Sequence, residues 1–328
     1  MADAAPAADP SSAPTVLVAR KLLAAGMERL AGACVIRDGG LDITAEELLE
    51  LAHGVDAIVA DPTVAVDEAL LEAAGPQLQV VANFAVGYDN VDLDACRRRG
   101  VAVTNTPDVL TNATAELALA LALATARHMS EAEADLRRGH WRGFDPGAYL
   151  GGELSGATFG VVGMGRIGRR YAELVVGLAG EILYASRTPK EDAERELGVR
   201  RVALEEIFRR ADVVSLHLPA TGETTGLVGS PELAAMKPEA ILVNTSRGPL
   251  VDSRALARAL RDGEIGGAGL DVYEHEPDVP TELLEAPRCV LLPHIGSATT
   301  RSRDGMARLV AENVLAVLGG EEPPNRVA

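Results

Sequence analysis

A short apolar run, residues 159–162, ends directly on Gly163-Met164-Gly165-Arg166-Ile167-Gly168, and a helical pattern, residues 166–178, begins inside that motif. No other stretch restricts the fold as much. Gly163 makes a tight turn, Gly165 lets a pyrophosphate approach the backbone, and Gly168 lets helix and strand pack closely. The helix N-terminus adds unpaired N–H groups and a positive dipole end for the phosphates. Glycines also cluster in ordinary turns, so the motif alone says little. With a strand before it, a helix after it and a second strand at 182–185, it reads as a dinucleotide-binding unit.

Strand-like and helix-like segments alternate along the whole chain, the pattern of parallel sheets covered by helices. Strands are expected at 15–18, 56–60, 80–82 and 101–104, then, after the glycine motif, at 213–216, 240–245, 269–272 and 290–292. Helices are expected at 21–30, 67–74 and 204–210. Thr44 and Glu47 form a capping box for a helix to Ala52, Asp92 caps one that Gly100 ends, and Asp252 caps one to Leu260. Residues 302–318 read as a final amphipathic helix. Residues 113–127 form an Ala/Leu-rich helix apolar on most sides, to be buried between domains or against another subunit. Residues 131–150, with the sole tryptophan Trp141, read as irregular.

At 328 residues the chain has room for two domains. The nucleotide unit lies mid-sequence, so the expected architecture is α/β and discontinuous: a Rossmann dinucleotide-binding domain, 108–295, inserted in a flavodoxin-like substrate domain, 15–107 plus 296–328. Both sheets would be doubly wound and parallel. Residues 1–14, rich in Ala, Pro, Asp and Ser, lack a basic start and an apolar core and read as a disordered tail.

The balance of 31 basic against 48 acidic residues gives a net charge of −17. That opposes nucleic-acid binding, which calls for a basic face. No apolar run is long enough to cross a bilayer. Cys34, Cys96 and Cys289 are far apart and lack metal-ligand spacing, so they read as free thiols in a reducing, cytoplasmic protein without a metal.

Three local features carry chemistry. Asn244-Thr245-Ser246-Arg247-Gly248 sets Arg247 just past an apolar strand, where open α/β sheets bind ligands. Asp271-Val272-Tyr273-Glu274-His275-Glu276-Pro277 sets carboxylates past a second strand, and Leu292-Pro293-His294-Ile295-Gly296-Ser297 sets His294 past a third. Arg, Glu and His therefore emerge at the edge that carries the glycine motif. The plain readings are a surface ion pair for Arg247, a solvated loop charge for Glu274 or Glu276, and structural or surface roles for His53, His128, His140, His217 and His275, with the cofactor groove as a further place for His217. Convergence at one edge is what singles out Arg247 and His294.

These residues, in this order, resemble the D-isomer-specific 2-hydroxyacid dehydrogenases, in particular the glyoxylate/hydroxypyruvate reductase branch. The likeness runs over about 80–317 and includes Val86-Gly87-Tyr88-Asp89-Asn90-Val91-Asp92, Asn105-Thr106-Pro107-Asp108, the glycine motif, Ser246-Arg247-Gly248, Glu276-Pro277 and Pro293-His294-Ile295-Gly296-Ser297-Ala298. The resemblance implies that Arg247 holds a substrate carboxylate, that His294 gives a proton to the ketone oxygen as a nicotinamide delivers hydride, and that Glu276 bonds His294 and favours its acid form. It implies too that N–H groups of Val86 and Gly87 take the carboxylate's other side, and that Asp271 lies near the nicotinamide carboxamide. Cofactor contacts would come from Gly163 to Gly168, Leu218, Pro219, Thr245, Ser246, His294 and Gly296. A homodimer is common in the family.

Past the strand at 182–185, where an NAD enzyme usually places an acid for the ribose hydroxyls, this chain has Ser186, Arg187 and Thr188. NADPH is therefore expected over NADH, with NADH possible. The loop Val59-Ala60-Asp61-Pro62-Thr63 has no cation of its own, and Asp61 would repel a phosphate. The expected substrates are small 2-oxo acids, glyoxylate or hydroxypyruvate, with Ala60 at the substrate in place of the family's bulkier apolar residue. Phosphite oxidation shares the Arg–Glu–His set, whereas formate enzymes of this fold carry an amide at the Glu276 position. A non-catalytic nucleotide-sensing co-repressor is the alternative of another class.

Overall fold

The computed structural model describes residues 13–328; the tail reading of the first residues falls, through residue 12, outside them. The chain forms two compact units, one from the described part of Met1–Leu110 with Thr299–Ala328, the other Thr111–Ala298. The first alternates β1 (Thr15–Val18), α1 (Ala24–Ala31), β2 (Val35–Asp38), α2 (Ala45–Ala52), β3 (Ala57–Ala60), α3 (Glu68–Ala74), β4 (Val80–Asn83), α4 (Leu93–Arg99) and β5 (Ala102–Thr104). The second follows with α5 (Thr111–Ala126), α6 (Met129–Arg137), β6 (Thr158–Val162), α7 (Arg166–Val175), β7 (Glu181–Ala185), α8 (Glu191–Leu197), β8 (Arg200–Arg201), α9 (Leu204–Arg210) and β9 (Val213–Leu216). It ends with α10 (Ser230–Ala235), β10 (Ile241–Asn244), α11 (Ser253–Asp262), β11 (Gly267–Leu270), α12 (Thr281–Leu284) and β12 (Cys289–Leu291), and α13 (Thr300–Leu318) returns to the first unit.

All sheet pairings are parallel. The first sheet runs β2-β1-β3-β4-β5, a flavodoxin-like order, and the second runs β12-β11-β10-β9-β6-β7-β8, a Rossmann order with a seventh strand. Strands covered on both faces read as continuous apolar runs: β3, β4, β9 and β10 are buried at every position. Local signals act where the sequence carries them. Thr44 accepts the Glu47 N–H at 3.2 Å while the Glu47 carboxylate accepts the Thr44 N–H at 2.9 Å, and Asp92 caps α4, which Gly100 ends in a left-handed turn.

Several elements differ from the sequence reading. β2 was not expected, because Val-Ile-Arg-Asp at an exposed edge carries no apolar signature. α6 occupies part of the stretch read as irregular. β11 starts two residues before the expected strand, since Gly267-Ala268-Gly269 lacks the branched side chains that mark strands. The apolar helix α5 buries Ala115, Ala118, Leu121 and Ala122 in a core with Phe159, Val161, Tyr171 and Val243 of its own unit. Its burial therefore needs no second subunit, and Gly269 shows how tight the packing is: a Cβ there would meet the Leu121 Cβ at 2.9 Å.

Candidate active site

The order of the second sheet reverses between β6 and β9, and the glycine loop follows β6 at that point. Gly163 has φ 96°, and a Cβ there would lie 2.5 Å from the His217 carbonyl oxygen; a Cβ on Gly168 would lie 2.0 Å from the Gly163 oxygen. A Cβ on Gly165, by contrast, would enter open space. Two glycines are thus required by the fold, and the third leaves room beside the start of α7, whose first turn has no side-chain cap. Uncapped N–H groups beside an open approach suit a diphosphate, so the residues fit a dinucleotide. Within the loop Met164 is buried, Ile167 half-buried and Arg166 exposed.

At the neighbouring strand ends the chain builds a charged cluster. After β10, the Asn244 amide donates to the Arg247 carbonyl at 2.8 Å and its oxygen accepts the Ser246 N–H at 3.0 Å; the Ser246 hydroxyl reaches the Leu216 carbonyl at 2.6 Å. Arg247 donates from Nη1 to the Ser246 carbonyl at 2.8 Å. Gly248 lies so close to the segment after β11 that a Cβ would overlap the Tyr273 carbonyl at 1.8 Å. That approach brings the arginine loop against the loop that carries both candidate acids. Those acids separate by role. Glu274 accepts the Ser253 N–H at 3.0 Å and helps start α11, whereas Glu276 accepts the Tyr273 N–H at 3.0 Å through Oε1 and lies 2.6 Å from His294 Nδ1 through Oε2.

His294 has a left-handed backbone, φ 53°, which a non-glycine residue adopts only when its surroundings fix it. Asp271 does much of that fixing. It is completely buried; its carbonyl accepts the His294 N–H at 3.0 Å, and its carboxylate oxygens accept the N–H groups of Ile295 and Gly296, each at 2.7 Å. Asp271 was expected at the nicotinamide carboxamide. Both of its oxygens shape the His294 loop, which the Thr114 hydroxyl also holds through the Gly296 carbonyl at 3.2 Å.

Burial raises the Asp271 carboxyl above its ordinary value, against the pull of the two N–H groups and the His294 charge. Burial pushes Glu276 upward too, but the His294 hydrogen bond and charge, the Tyr273 N–H and the Arg247 charge together hold it below the usual carboxylate range. The His294 side chain is 37% exposed and that of Glu276 27%. One ring nitrogen is thus fixed by an anion while the ring keeps access to solvent. The cluster can orient an imidazole, keep a carboxylate charged beside it and offer a cation to an anionic ligand.

The other residues singled out by sequence fall in several places. Ser186 is half-buried and Arg187 and Thr188 exposed in the loop after β7; Leu218 is half-buried and Pro219 exposed after β9. Thr245 is buried, with a hydroxyl lacking any partner among the described residues. In the first unit, the Asn105 amide donates to the Val86 carbonyl and the Asn83 amide to the Gly87 carbonyl, each at 2.8 Å. Ala60 does not match the expectation that it presents a side chain to substrate: it is 1% exposed, its methyl lies in the core with Leu17 and Ile58, and its carbonyl accepts the Phe84 N–H. The Asp61 loop also has a nearby cation that the sequence reading overlooked, since Arg20 Nε lies 3.9 Å from its carboxylate.

Sequence reasoning did not find the Ser215 and Tyr171 neighbours of His217. Its Nε2 lies 2.9 Å from the Ser215 hydroxyl and its ring centroid 5.0 Å from that of Tyr171. Nδ1 is buried without a partner among the described residues. The run Ser215-Leu216-His217 at a strand end was the available signal. Among the described residues no group of three or more His, Cys, Asp or Glu could hold a metal ion, and no helix is long and apolar enough to cross a membrane.

Residues 119–296 match the family model described as D-isomer specific 2-hydroxyacid dehydrogenase, NAD binding domain. The glyoxylate reductase of Thermococcus litoralis is 51% identical over 284 residues, 85% of this chain and 86% of that protein. The glyoxylate reductase of Thermococcus onnurineus is 45% identical over 96% of both chains. Among solved structures, a Thermus thermophilus protein superposes with a TM-score of 0.89 at 44% identity, covering 96% of this chain and all of that one. The NADPH-dependent glyoxylate/hydroxypyruvate reductase of Sinorhizobium meliloti, in complex with NADP and malonate, gives 0.85 at 37% identity over 97% of each chain. Matched by the family model over more than half its length and by such relatives over most of it, the chain belongs to the D-isomer specific 2-hydroxyacid dehydrogenases.

Proposed function

We propose that this enzyme reduces a small 2-oxo acid, glyoxylate or hydroxypyruvate, to the D-2-hydroxy acid, with NADPH preferred over NADH. The observation that carries the reading is the 2.6 Å contact between His294 Nδ1 and Glu276 Oε2, at the same sheet edge as the glycine loop. When bound, the nicotinamide supplies the hydride. His294 holds the proton for the ketone oxygen on Nε2, the nitrogen that Glu276 leaves available. Glu276 fixes the tautomer and stabilises the imidazolium. Arg247 binds the substrate carboxylate through its planar donor fork.

The names of the relatives support glyoxylate, and one related structure holds NADP. In this chain Ser186, Arg187 and Thr188, with no acid among them, support NADPH. The test is a panel of glyoxylate, hydroxypyruvate, pyruvate and bulkier 2-oxo acids with each cofactor, and phosphite with NADP+ as a control. Glyoxylate or hydroxypyruvate should give the highest kcat/KM, and NADPH should exceed NADH by about tenfold or more, the scale of one charge-assisted contact. Turnover of none of the acids would overturn the reading, and a preference for NADH would overturn its cofactor part.

The reading includes a homodimer. Met129, Leu136, Trp141, Phe144 and Leu150, all within one stretch of chain, are exposed, with Phe144 91% accessible, and exposed apolar side chains support an association site there. Sedimentation equilibrium should return twice the chain mass.

A further inference from the structure

The loop from Ser186 to Lys190 is held at both ends. At its start, Arg201 of the edge strand β8 donates from Nε to the Ser186 carbonyl at 3.2 Å, and from Nη2 to the carbonyls of Ser186 and Arg187 at 2.9 and 3.0 Å. At its end, the Lys190 N–H donates at 2.8 Å to the hydroxyl of Tyr184, a fully buried residue that in turn donates to Glu194 at 2.6 Å. The loop therefore has a fixed shape before any ligand arrives, which lowers the ordering cost of binding.

Charge is arranged around it as well. Asp192 and Glu196 of α8 both pair with Arg169 of α7, and Glu194 takes the Tyr184 proton donor. Among the described residues Glu191 is the one carboxylate of α8 left without a partner, against three cations in or on the loop: Arg187, Lys190 and Arg201. A chain of net charge −17 thus keeps a locally positive patch here. The two carbonyl oxygens, which would otherwise repel an anion, are covered by a guanidinium.

We propose that Arg201 is a specificity-determining positioning residue: by capping the Ser186 and Arg187 carbonyls it sets the loop to receive the 2′-phosphate of an adenine dinucleotide. This rests on the NADPH reading above and adds a residue to it. The role requires Arg and not Lys, since one planar fork spans two successive carbonyls while an ammonium is a point donor.

The test separates the two readings by calorimetric titration with 2′,5′-ADP and 5′-AMP, which differ only in the 2′-phosphate. The unaltered enzyme should bind 2′,5′-ADP about tenfold or more tightly than 5′-AMP. Arg201→Gln should lose about tenfold for 2′,5′-ADP and less than about twofold for 5′-AMP, with Arg201→Lys recovering only part of the loss. In kinetics, Arg201→Gln should raise KM for NADPH about tenfold while kcat at saturating NADPH moves less than about twofold. An unaltered enzyme that does not discriminate the two nucleotides would overturn the NADPH reading itself. Discrimination that survives in Arg201→Gln, or is lost equally for both nucleotides, would overturn the role of Arg201 and leave the NADPH reading standing.

Discussion

His294 follows β12 and His217 follows β9, each just past the carboxyl end of a parallel strand in one sheet. Their surroundings differ in kind. His294 has a carboxylate at 2.6 Å, a left-handed backbone held by Asp271, and partial access to solvent. Among the described residues His217 has only a serine hydroxyl on one nitrogen and nothing on the other, and burial pushes its pKa down to about 3. One imidazole can take and return a proton beside a fixed anion; the other stays neutral and packs beneath the glycine loop. What makes a strand-end histidine a proton carrier here is therefore its charged company, since position in the sheet is shared.

Removing the imidazole should separate the two sites most sharply. His294→Ala is expected to lower kcat for glyoxylate reduction about a thousandfold, within the usual range for a lost general acid. The fold should persist, because the side chain lies outside the core clusters. Stopped-flow reduction with saturating NADPH measures it directly. A loss below about tenfold would mean that proton transfer does not run through His294.

Next in size is Arg247→Ala. The charge of Arg247 acts on Glu276, and nothing similar reaches His217, so this variant tests whether the whole charged cluster is needed. If Arg247 binds both ground and transition states, KM for glyoxylate should rise and kcat fall together, with kcat/KM down about a hundredfold. A rise in KM alone would confine Arg247 to ground-state binding.

Glu276→Gln keeps the shape and removes the charge. It should lower kcat about tenfold, because His294 loses the charged partner that orients its ring and fixes its tautomer. In the parent enzyme the folded Glu276 carboxyl lies below its unfolded value. Its stabilising contribution is therefore complete above the unfolded value and is lost only as pH falls through the depressed folded one. Glu276→Gln should thus leave stability between pH 6 and 8 without a new slope. A kcat that does not fall would remove Glu276 from the proton path.

How much of this was readable in the sequence depends on what each residue bonds to. The glycine loop was legible because Gly163 and Gly168 answer steric demands peculiar to glycine, and Gly165 leaves an approach open. The caps at Thr44, Asp92 and Asp252 were legible because their partners lie two or three residues away. The role of Asp271 in shaping the His294 loop was not, since its acceptors serve N–H groups 24 and 25 residues on. Arg201 escaped for a related reason: its partners are backbone carbonyls, which carry no sequence signature, and β8 is two exposed charged residues long. Ala60 misled because a strand-end alanine looks alike whether its methyl faces a ligand or the core.

The smallest effect concerns His217 and tests the other half of the comparison. Its folded pKa, about 3, lies below the ordinary 6.5, so below pH 6.5 the unfolded chain binds a proton that the folded chain refuses. Stability from this group is complete above about 6.5 and falls as pH drops toward 3; between pH 7 and 5 the loss is about 2 kcal/mol. His217→Gln cannot titrate, so urea unfolding at pH 7, 6 and 5 should show a shallower decline, by about that amount, whatever the variant's stability at pH 7. kcat for glyoxylate reduction should fall less than in Glu276→Gln. If the decline with pH were unchanged, His217 would be protonated in the folded chain, and a carboxylate partner would no longer distinguish the two strand ends.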